Sequence, residues 1–386
     1  MLPPTTMAAP RDPRSPLRVL HVFGAMNRGG AELRTLEVMA QLDPAQVRLE
    51  FCALSGQAGT LDAEIARRGG AVHPCRLDAG FPLRFAALVR RQQITVVHSH
   101  VQLASGFILA VAAAAGVRQR IAHFRSTGDD RGDGWPRRGY RRAMRVLLDQ
   151  AATAIVACAE GVMTAAWSPS WRADPRCQIV YNGVDETAFD RPDERAAVRA
   201  ELGLAADAPL VLQVGRFDPP KNHARAVDVL AALPRADVHL AYAGRLGTPD
   251  EAATRARVAA TGLGDRVHFL GERSDVPRLL AAVDLVLMTS VREGLPGSVL
   301  EAVAAGTPTV ASDLPGVREI AARLPGIEVC ALTEPDRRWA AAVERGLATP
   351  PTSASRAAAR ARLRASTFSI AAATAAHLAL WAPAPR

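Results

Sequence analysis

Residues 288–306 read MTSVREGLPGSVLEAVAAG, and this stretch decides the predicted fold of the chain. It follows the apolar run 285–287, which is typical of a buried parallel strand, and it continues into a helical pattern that starts near Pro296 and ends at Gly306. The segment between the two is a tight turn. Because strand, turn and helix in this order form the unit of a parallel sheet, the stretch predicts an α/β protein.

Two glutamates lie on either side of the predicted helix start. Glu293 is in the turn, and Glu301 follows eight residues later. The residues after Glu293 have small or ring-constrained side chains that leave backbone N–H groups open to an anion: Gly294, Leu295, Pro296, Gly297 and Ser298. The two carboxylates can accept hydroxyl protons from a ligand whose phosphates lie between them, as in a sugar nucleotide. The alternative is that Glu293 only caps the helix and Glu301 is solvated.

The composition is that of a large globular protein. A chain of 386 residues with 49% hydrophobic residues suits two domains. It contains no run of about 18 uncharged apolar residues, and its proline-rich start lacks the apolar core of a signal peptide, so we expect a cytoplasmic protein. The five cysteines are scattered and never form C-x-x-C, which disfavours a zinc site and a disulfide framework and predicts core thiols.

The positive charge is unevenly distributed. The net charge is +9, and up to Asp185 there are 23 arginines against 15 acidic residues, so nearly all of the excess is N-terminal. Of the 47 basic residues the only lysine is Lys221. A single lysine in an arginine-rich chain suggests a site that needs a compact ammonium rather than a planar fork. The alternative is that this lysine has survived by chance.

Apolar runs alternate with helical patterns along the chain. The first series of predicted strands covers 18–23, 49–54, 71–77, 94–98, 120–124, 154–157 and 179–181, and the second covers 210–214, 238–243, 267–270, 285–288, 308–312 and 327–330. Such alternation predicts two doubly wound parallel sheets. Ligands meet these sheets at the carboxyl ends of the strands, where loops carry the polar residues.

The loop after the first predicted strand contains Gly29 and Gly30 just before a helix, an arrangement that suits a phosphate or a sugar. Neither G-x-G-x-x-G nor the P-loop pattern is present, which disfavours a dehydrogenase and a P-loop ATPase. Other polar residues predicted to follow strands are His98, Ser99, His100, Gln102, His123, Arg125, Ser126 and Thr127. The His-Ser-His segment has no cysteine or carboxylate at ligand spacing, so a metal is disfavoured. A structural role for His123 stays open.

Together these motifs resemble the retaining family 4 glycosyltransferases, which have the two-domain GT-B fold. The resemblance lies in the two glutamates with seven residues between them, in the G-G-A-E segment from Gly29, in Asn182-Gly183 and in the A-A-G-T-P-T-V-A-S-D segment that begins at Ala304. It implies an N-terminal domain over 17–185, a donor-binding domain over 186–366 and a C-terminal helix, 367–386, that crosses back to the first domain. Residues 1–16 are predicted to be a disordered tail.

The resemblance also implies roles for individual residues. Glu301 would bind the ribose hydroxyls, and Arg216 and Lys221 the diphosphate. Glu293 and the amides after it would bind the transferred sugar, which His123 would also contact. The implied donor site comprises Gly29, Gly30, Gly215, Arg216, Lys221, Gly244, Ser274, Val276, Glu293, Gly294, Leu295, Pro296, Ser298 and Glu301; the implied catalytic residues are His123, Arg216, Lys221 and Glu293.

No D-x-D motif occurs in the chain, so we expect no metal and no cofactor. Two fixed cations and a helix N-terminus can stabilise a departing diphosphate without a divalent ion. The donor is expected to be a nucleotide-diphosphate sugar, with UDP slightly favoured over GDP. The acceptor, a glycan, a lipid-linked compound or a small molecule, stays open.

A basic helix is predicted within residues 129–145. Its arginines could contact an anionic membrane surface at the inner face of the plasma membrane, or form a solvated face: Arg137, Arg138, Arg141, Arg142 and Arg145. Nucleic-acid binding is disfavoured because its motifs are missing. The sequence therefore predicts a retaining glycosyltransferase for polysaccharide, glycolipid or natural-product synthesis. The alternatives are a sugar-nucleotide 2-epimerase of the same fold and a non-catalytic basic membrane- or nucleic-acid-binding protein with a vestigial site.

Overall fold

The computed structural model describes residues 16–128, 134–191 and 194–382, so the predicted tail lies outside the described residues except for Pro16. The chain forms two compact units. Among the described residues, unit 1 comprises 16–123, 134–154 and 381–382, and unit 2 comprises 124–128, 155–191 and 194–380. Among the described residues no helix is both long and apolar enough to cross a membrane.

Two parallel sheets confirm the predicted α/β fold. The first contains β1 (Leu17–Phe23), β2 (Val47–Ala53), β3 (Ala71–Pro74), β4 (Val96–Ser99), β5 (Gln119–Phe124), β6 (Ala154–Ala157) and β7 (Cys177–Ile179), in the order β3-β2-β1-β4-β5-β6-β7. The second contains β8 (Leu210–Val214), β9 (His239–Ala243), β10 (Val267–Phe269), β11 (Leu285–Met288), β12 (Thr309–Ser312) and β13 (Ile327–Cys330), in the order β10-β9-β8-β11-β12-β13.

Helices follow the strands in both sheets. They are α1 (Gly30–Ala40), α2 (Asp62–Arg67), α3 (Phe81–Arg91), α4 (Ser105–Ala114), α5 (Trp135–Ala151), α6 (Glu160–Ala166), α7 (Arg195–Glu201), α8 (His223–Ala231), α9 (Pro249–Thr261), α10 (Val276–Ala282), α11 (Gly297–Ala305), α12 (Pro315–Ala321), α13 (Asp336–Leu347), α14 (Ser353–Arg364) and α15 (Ile370–Trp381). The decisive stretch forms β11, a turn and α11, as predicted, and α11 ends at Gly306 in the left-handed conformation.

Strand order determines where a ligand can bind in unit 2. The order reverses between β8 and β11, which are direct neighbours, and such a switch point opens a crevice at the carboxyl ends of the strands. The loops after β8, β9, β10 and β11 meet at this edge. They carry most of the residues predicted to bind the donor.

A buried ion pair supports the start of the second sheet. Asp284, just before β11, accepts hydrogen bonds from the Arg199 guanidinium (2.5 Å), from the backbone N–H of Leu210 (2.8 Å) and from Arg195. Arg199 is fully buried and also donates to the carbonyls of Ala208 and Ala282. The pair therefore joins α7, β8 and β11 in the interior of unit 2.

The predicted strands 94–98 and 120–124 correspond to β4 and β5, whereas the placement of three polar residues in the loops after them is wrong. His98 and Ser99 lie within β4, and His123 lies within β5. All three residues are buried. The sequence is ambiguous here because a histidine beside apolar residues fits the end of a strand as well as its loop. The prediction of core thiols holds for four cysteines, whereas Cys177 is half-buried.

Candidate active site

The predicted site residues fall into two sets. Gly29, Gly30 and His123 belong to unit 1. The others belong to unit 2 and lie at the carboxyl ends of its strands: Gly215, Arg216, Lys221, Gly244, Ser274, Val276, Glu293, Gly294, Leu295, Pro296, Ser298 and Glu301.

Glu293 and Lys221 form an ion pair in unit 2. The Lys221 ammonium lies 2.7 Å from Oε1 of Glu293, and the hydroxyl of the buried Ser290 donates to the same oxygen at 2.7 Å. Their side chains are 14% exposed for Glu293 and 27% for Lys221, so a ligand can reach both. Both of these donors bind Oε1, so among the described residues neither of them occupies Oε2. Among the described residues Glu293 makes these bonds rather than capping α11, which removes the capping alternative.

Buried hydrogen bonds fix the loop that carries Lys221. The loop is a 3-10 turn, Pro219–Lys221, followed by Asn222 with a left-handed φ of 50°. The amide of Gln213 donates to the Lys221 carbonyl at 3.0 Å, and the hydroxyl of Thr289 donates to the Asn222 carbonyl at 2.8 Å. The N–H of Val291 donates to the carbonyl of Pro220 at 2.8 Å. The Lys221 loop and the Glu293 turn are therefore held together by main-chain contacts.

Arg216 is held much more loosely than Lys221. Its side chain is 53% exposed and pairs with Asp218 at 3.1 Å. Exposed ion pairs contribute only about 0–1 kcal/mol. The Arg216 guanidinium can therefore exchange the Asp218 carboxylate for a phosphate at little cost in free energy. Its side chain is suited to move with a bound ligand.

Two glycines of the predicted site are required by packing. A Cβ on Gly244 would lie 1.8 Å from the carbonyl oxygen of Gly215, and a Cβ on Gly294 would lie 2.1 Å from the carbonyl oxygen of Arg125. Backbone atoms cannot give way as a flexible side chain can. The sequence analysis assigns Gly294 to leaving N–H groups open to an anion. It does not include the close packing of Gly294 against the backbone of Arg125.

The N-terminus of α11 is not capped by a side chain. Pro296 is at the N-cap position, and no side-chain hydrogen bond is made there. The first N–H groups of a helix lack partners within the helix and attract anions. Oε1 of Glu301 lies 3.9 Å from the position that a Cβ on Gly297 would take, so this carboxylate is near the same end of the helix.

An ion-pair network holds the loop between β10 and α10, which contains Ser274 and Val276. Arg273 pairs with Asp275 at 2.7 Å and with Glu201 at 2.6 Å, and Arg278 pairs with Glu201 at 2.8 Å. The hydrogen bond from Arg273 lowers the pKa of Asp275 to about 2. The carboxylate therefore stays charged at neutral pH and fixes the loop.

A neutral histidine lies directly after the Lys221 loop. His223 begins α8 and stacks on Phe217 with ring centroids 4.0 Å apart. Burial lowers the pKa of His223 to about 4, so the imidazole carries no charge at neutral pH. Lys221 and Arg216 are consequently the cations that this loop offers to a ligand.

Unit 1 contains a group of buried histidines that includes His123. Nε2 of His98 lies 3.0 Å from Nδ1 of His123, and Nδ1 of His21 lies 2.9 Å from Nε2 of His100. The strand register places His21 beside His98, a neighbour that the His-Ser-His segment alone does not indicate. Ring nitrogens of His21, His98 and His100 lie within 4.8 Å of one another, a spacing that suits a metal ion.

Sequence reasoning missed three residues of these sets. Ser290 orients Glu293, His21 joins the histidine group, and Trp381 donates its indole N–H to Nδ1 of His98 at 3.1 Å. Parallel pairing of β1 with β4 was the one available signal, since it places His21 next to His98. The contact of Trp381 with His98 spans 283 residues and left no local signal.

Two parallel sheets with alternating helices, the second with an uncapped helix N-terminus and a paired acid and ammonium at its switch point, are typical of the GT-B class of transferases. Models of two families match the chain: "Glycosyl transferase 4-like domain" over residues 29–183 and "Glycosyl transferases group 1" over residues 194–362. The chain belongs to the glycosyl transferases group 1 family. It is therefore a glycosyltransferase.

Individual relatives support this assignment. The chain is 31% identical to the putative glycosyltransferase EpsF of Bacillus subtilis, over 86% of this chain and 88% of that protein. It is 27% identical to the capsular polysaccharide biosynthesis glycosyltransferase CapH of Staphylococcus aureus, over 74% and 78%. A glycosyltransferase structure from Rickettsia africae superposes with a TM-score of 0.79 at 16% identity, covering 95% of this chain and 98% of that one.

The structure of Anabaena HepE in complex with UDP-glucose is similar to a comparable extent. It has a TM-score of 0.76 at 21% identity and covers 94% of this chain and 99% of that one. The shared fold extends over nearly the whole length of both chains. These likenesses confirm the GT-B architecture that the sequence predicts.

Proposed function

We propose that the protein is a retaining glycosyltransferase that moves a sugar from a nucleotide-diphosphate sugar to a glycan, lipid-linked or small-molecule acceptor. The observation that carries this proposal is the Lys221–Glu293 pair beside the uncapped N-terminus of α11, with Glu301 in the same helix. The ammonium and the helix N-terminus suit the negative diphosphate, and the carboxylates of Glu293 and Glu301 suit the hydroxyl groups of the sugar and of the ribose. The capsular polysaccharide relative and the UDP-glucose complex support a role in polysaccharide biosynthesis with a UDP-sugar.

The proposed chemistry depends on charge that develops as the glycosidic bond breaks. The bond electrons leave with the diphosphate, and its negative charge grows next to Lys221, Arg216 and the N–H groups of α11. The attacking hydroxyl of the acceptor loses its proton to the leaving phosphate oxygen and forms the new bond on the face from which the phosphate departs. Glu293 orients the sugar through Oε2, and the anomeric configuration is retained.

Incubation of the enzyme with a radiolabelled donor and a panel of acceptors tests the proposal. Transfer of label with retention, read from the anomeric proton coupling of the product, supports it. An epimerised donor would instead identify a 2-epimerase. Absence of turnover with UDP- and GDP-sugars that nevertheless bind would indicate a vestigial site.

Glu301→Gln is expected to weaken nucleotide binding by about 1.5–3 kcal/mol, because the ribose hydroxyls lose a charged acceptor. Isothermal titration with the nucleoside diphosphate measures the change. Glu328→Gln, on the edge strand β13, is the matched control and should leave the affinity unaltered. Equal affinity of Glu301→Gln and the wild type would refute the assignment of Glu301 to the ribose.

We also propose that catalysis needs no divalent metal, since Lys221, Arg216 and the α11 N-terminus already supply positive charge to the diphosphate. Initial rates with excess EDTA should equal those without it. Loss of activity that magnesium or manganese restores would count decisively against this proposal.

We propose peripheral membrane contact through α5. This helix carries Arg138 and Arg142 on its exposed surface, together with Trp135, whose side chain is 79% exposed. Cationic residues beside an exposed indole suit the interface of an anionic bilayer. Each arginine near such a surface contributes about 1 kcal/mol.

Arg138→Glu/Arg142→Glu should therefore reduce cosedimentation with phosphatidylglycerol vesicles at least about 30-fold, as loss of about 2 kcal/mol requires. Arg337→Glu/Arg338→Glu alters two exposed neighbouring arginines on α13 and serves as the control with the same net charge. Equal loss in both variants would show that net charge, rather than α5, determines binding. Binding of the wild type to neutral vesicles alone would also contradict the proposal.

A further inference from the structure

We propose that Trp381 and His98 are positioning residues that fix the proton of His123 on Nε2. The three side chains form a chain of two hydrogen bonds within unit 1: from Nε1 of Trp381 to Nδ1 of His98 (3.1 Å) and between Nε2 of His98 and Nδ1 of His123 (3.0 Å). All three residues are buried. Trp381 is the last residue of α15, and His98 and His123 lie in β4 and β5.

The direction of both hydrogen bonds follows from one fact about tryptophan. An indole N–H only donates, so Nδ1 of His98 must be the acceptor and carries no proton. The single proton of His98 is then on Nε2, and it is donated to Nδ1 of His123. Nδ1 of His123 consequently has no proton either. His123 is held as a neutral imidazole that carries its proton on Nε2.

This arrangement gives His123 a defined chemical role; it rests on the proposed sugar transfer and on the sugar contact that the sequence resemblance implies for His123. A histidine with the Nε2–H tautomer donates a hydrogen bond to a sugar hydroxyl, whereas the other tautomer can only accept one at that atom. A hydrogen bond to one ring nitrogen orients a histidine and fixes which nitrogen carries its proton. Trp381, at the end of α15, therefore determines through His98 which ring nitrogen of His123 carries the proton.

A metal ion at His21, His98 and His100 is the competing interpretation of the same cluster. Their nitrogens are close enough for it. However, both nitrogens of His98 already take part in hydrogen bonds, to Trp381 and to His123. A metal on His98 would have to displace one of these partners. The geometry favours the hydrogen-bonded chain.

Nitrogen-15 NMR of histidine-labelled protein tests the tautomer without any donor or acceptor. The expected result is a protonated Nε2 and an unprotonated Nδ1 for both His98 and His123, assigned by loss of signals in His98→Gln and His123→Asn. In Trp381→Phe, which keeps an aromatic ring but lacks the indole N–H, signals of both tautomers should appear. A protonated Nδ1 on His123 in the wild type overturns the proposal. The proposal is also overturned if the purified protein contains stoichiometric zinc and this zinc is bound to His98.

Kinetics give the second readout. Trp381→Phe should lower kcat about 3- to 10-fold, the scale of one neutral hydrogen bond. Trp339→Phe is the matched control, because it removes another buried indole N–H, one that donates to the carbonyl of Ala331, and should leave kcat unchanged. His98→Leu should be impaired at least as much as Trp381→Phe, and His98→Gln, which retains an N–H donor, should recover most of the activity.

Failure of the inference is distinguishable from failure of the proposed function. If His123→Asn transfers sugar at the wild-type rate, His123 does not contact the sugar, and the proposed role fails whatever the NMR spectrum shows. If His123 is needed but Trp381→Phe matches the wild type in kcat and tautomer, the hydrogen-bonded chain from Trp381 does not position it.

Discussion

Lys221→Ala is expected to lower turnover on the order of 100-fold, the scale for loss of one group that stabilises charge in the transition state. The ammonium of Lys221 is held at 2.7 Å from Glu293 by a loop that buried hydrogen bonds fix, so it is in place before the donor arrives. The charge on the diphosphate is larger in the transition state than in the ground state. Turnover should therefore fall much more than donor binding weakens, which kcat and nucleotide titrations measure separately.

Lys221→Arg separates charge from shape. In a chain with one lysine among 47 basic residues, arginine would be harmless here if only charge mattered. If Lys221 binds a phosphate as proposed, the longer planar guanidinium cannot replace its compact ammonium beside Glu293 without displacing the phosphate or the carboxylate. Impaired turnover at saturating donor is the expected result. Full activity of Lys221→Arg would mean that lysine is present there by chance.

Asp284→Ala is expected to lower the free energy of unfolding by about 3–5 kcal/mol, because Arg199 would be left as a fully buried charge without its carboxylate. Urea denaturation measures this change. The matched control is Asp228→Ala, which breaks a pair with the largely exposed Arg257 and should cost no more than about 1 kcal/mol. Similar losses for both variants would contradict the assignment of a buried pair.

Removal of both charges gives a second measurement. Arg199→Leu/Asp284→Leu should recover much of the stability lost in Asp284→Ala, since an apolar pair of similar volume leaves no buried charge unpaired. No recovery would mean that the hydrogen bonds of Asp284 to Leu210 and Arg195, rather than the charge on Arg199, determine the effect.

The fold was readable from the sequence because buried parallel strands are short apolar runs that glycine, proline and polar residues interrupt. Strands such as β6, β8, β11 and β13 begin and end where the sequence predicts. The third strand is shorter than predicted, since β3 ends at Pro74 whereas the predicted strand extends to residue 77. A boundary of this kind depends on pairing with the neighbouring strand β2, which the local pattern does not contain.

The site was predictable where its residues follow one another in the chain, and not where the fold brings them together. The turn from Glu293 to Glu301 is local, so its strand, turn and helix were all anticipated. The pairing of Lys221 with Glu293 joins residues 72 positions apart, and the contact of Trp381 with His98 joins residues from opposite ends of the chain. Only three-dimensional packing creates these partners.

The close approach of Gly244 to Gly215 has a consequence for protein engineering. With 1.8 Å between a Cβ on Gly244 and the Gly215 carbonyl oxygen, no side chain fits between the loops after β8 and β9. Neither loop can be exchanged alone for one whose backbone follows a different path. A graft intended to alter donor preference must transfer residues 215–222 and 244–248 from the same parent enzyme, or else leave both and vary the loop after β10.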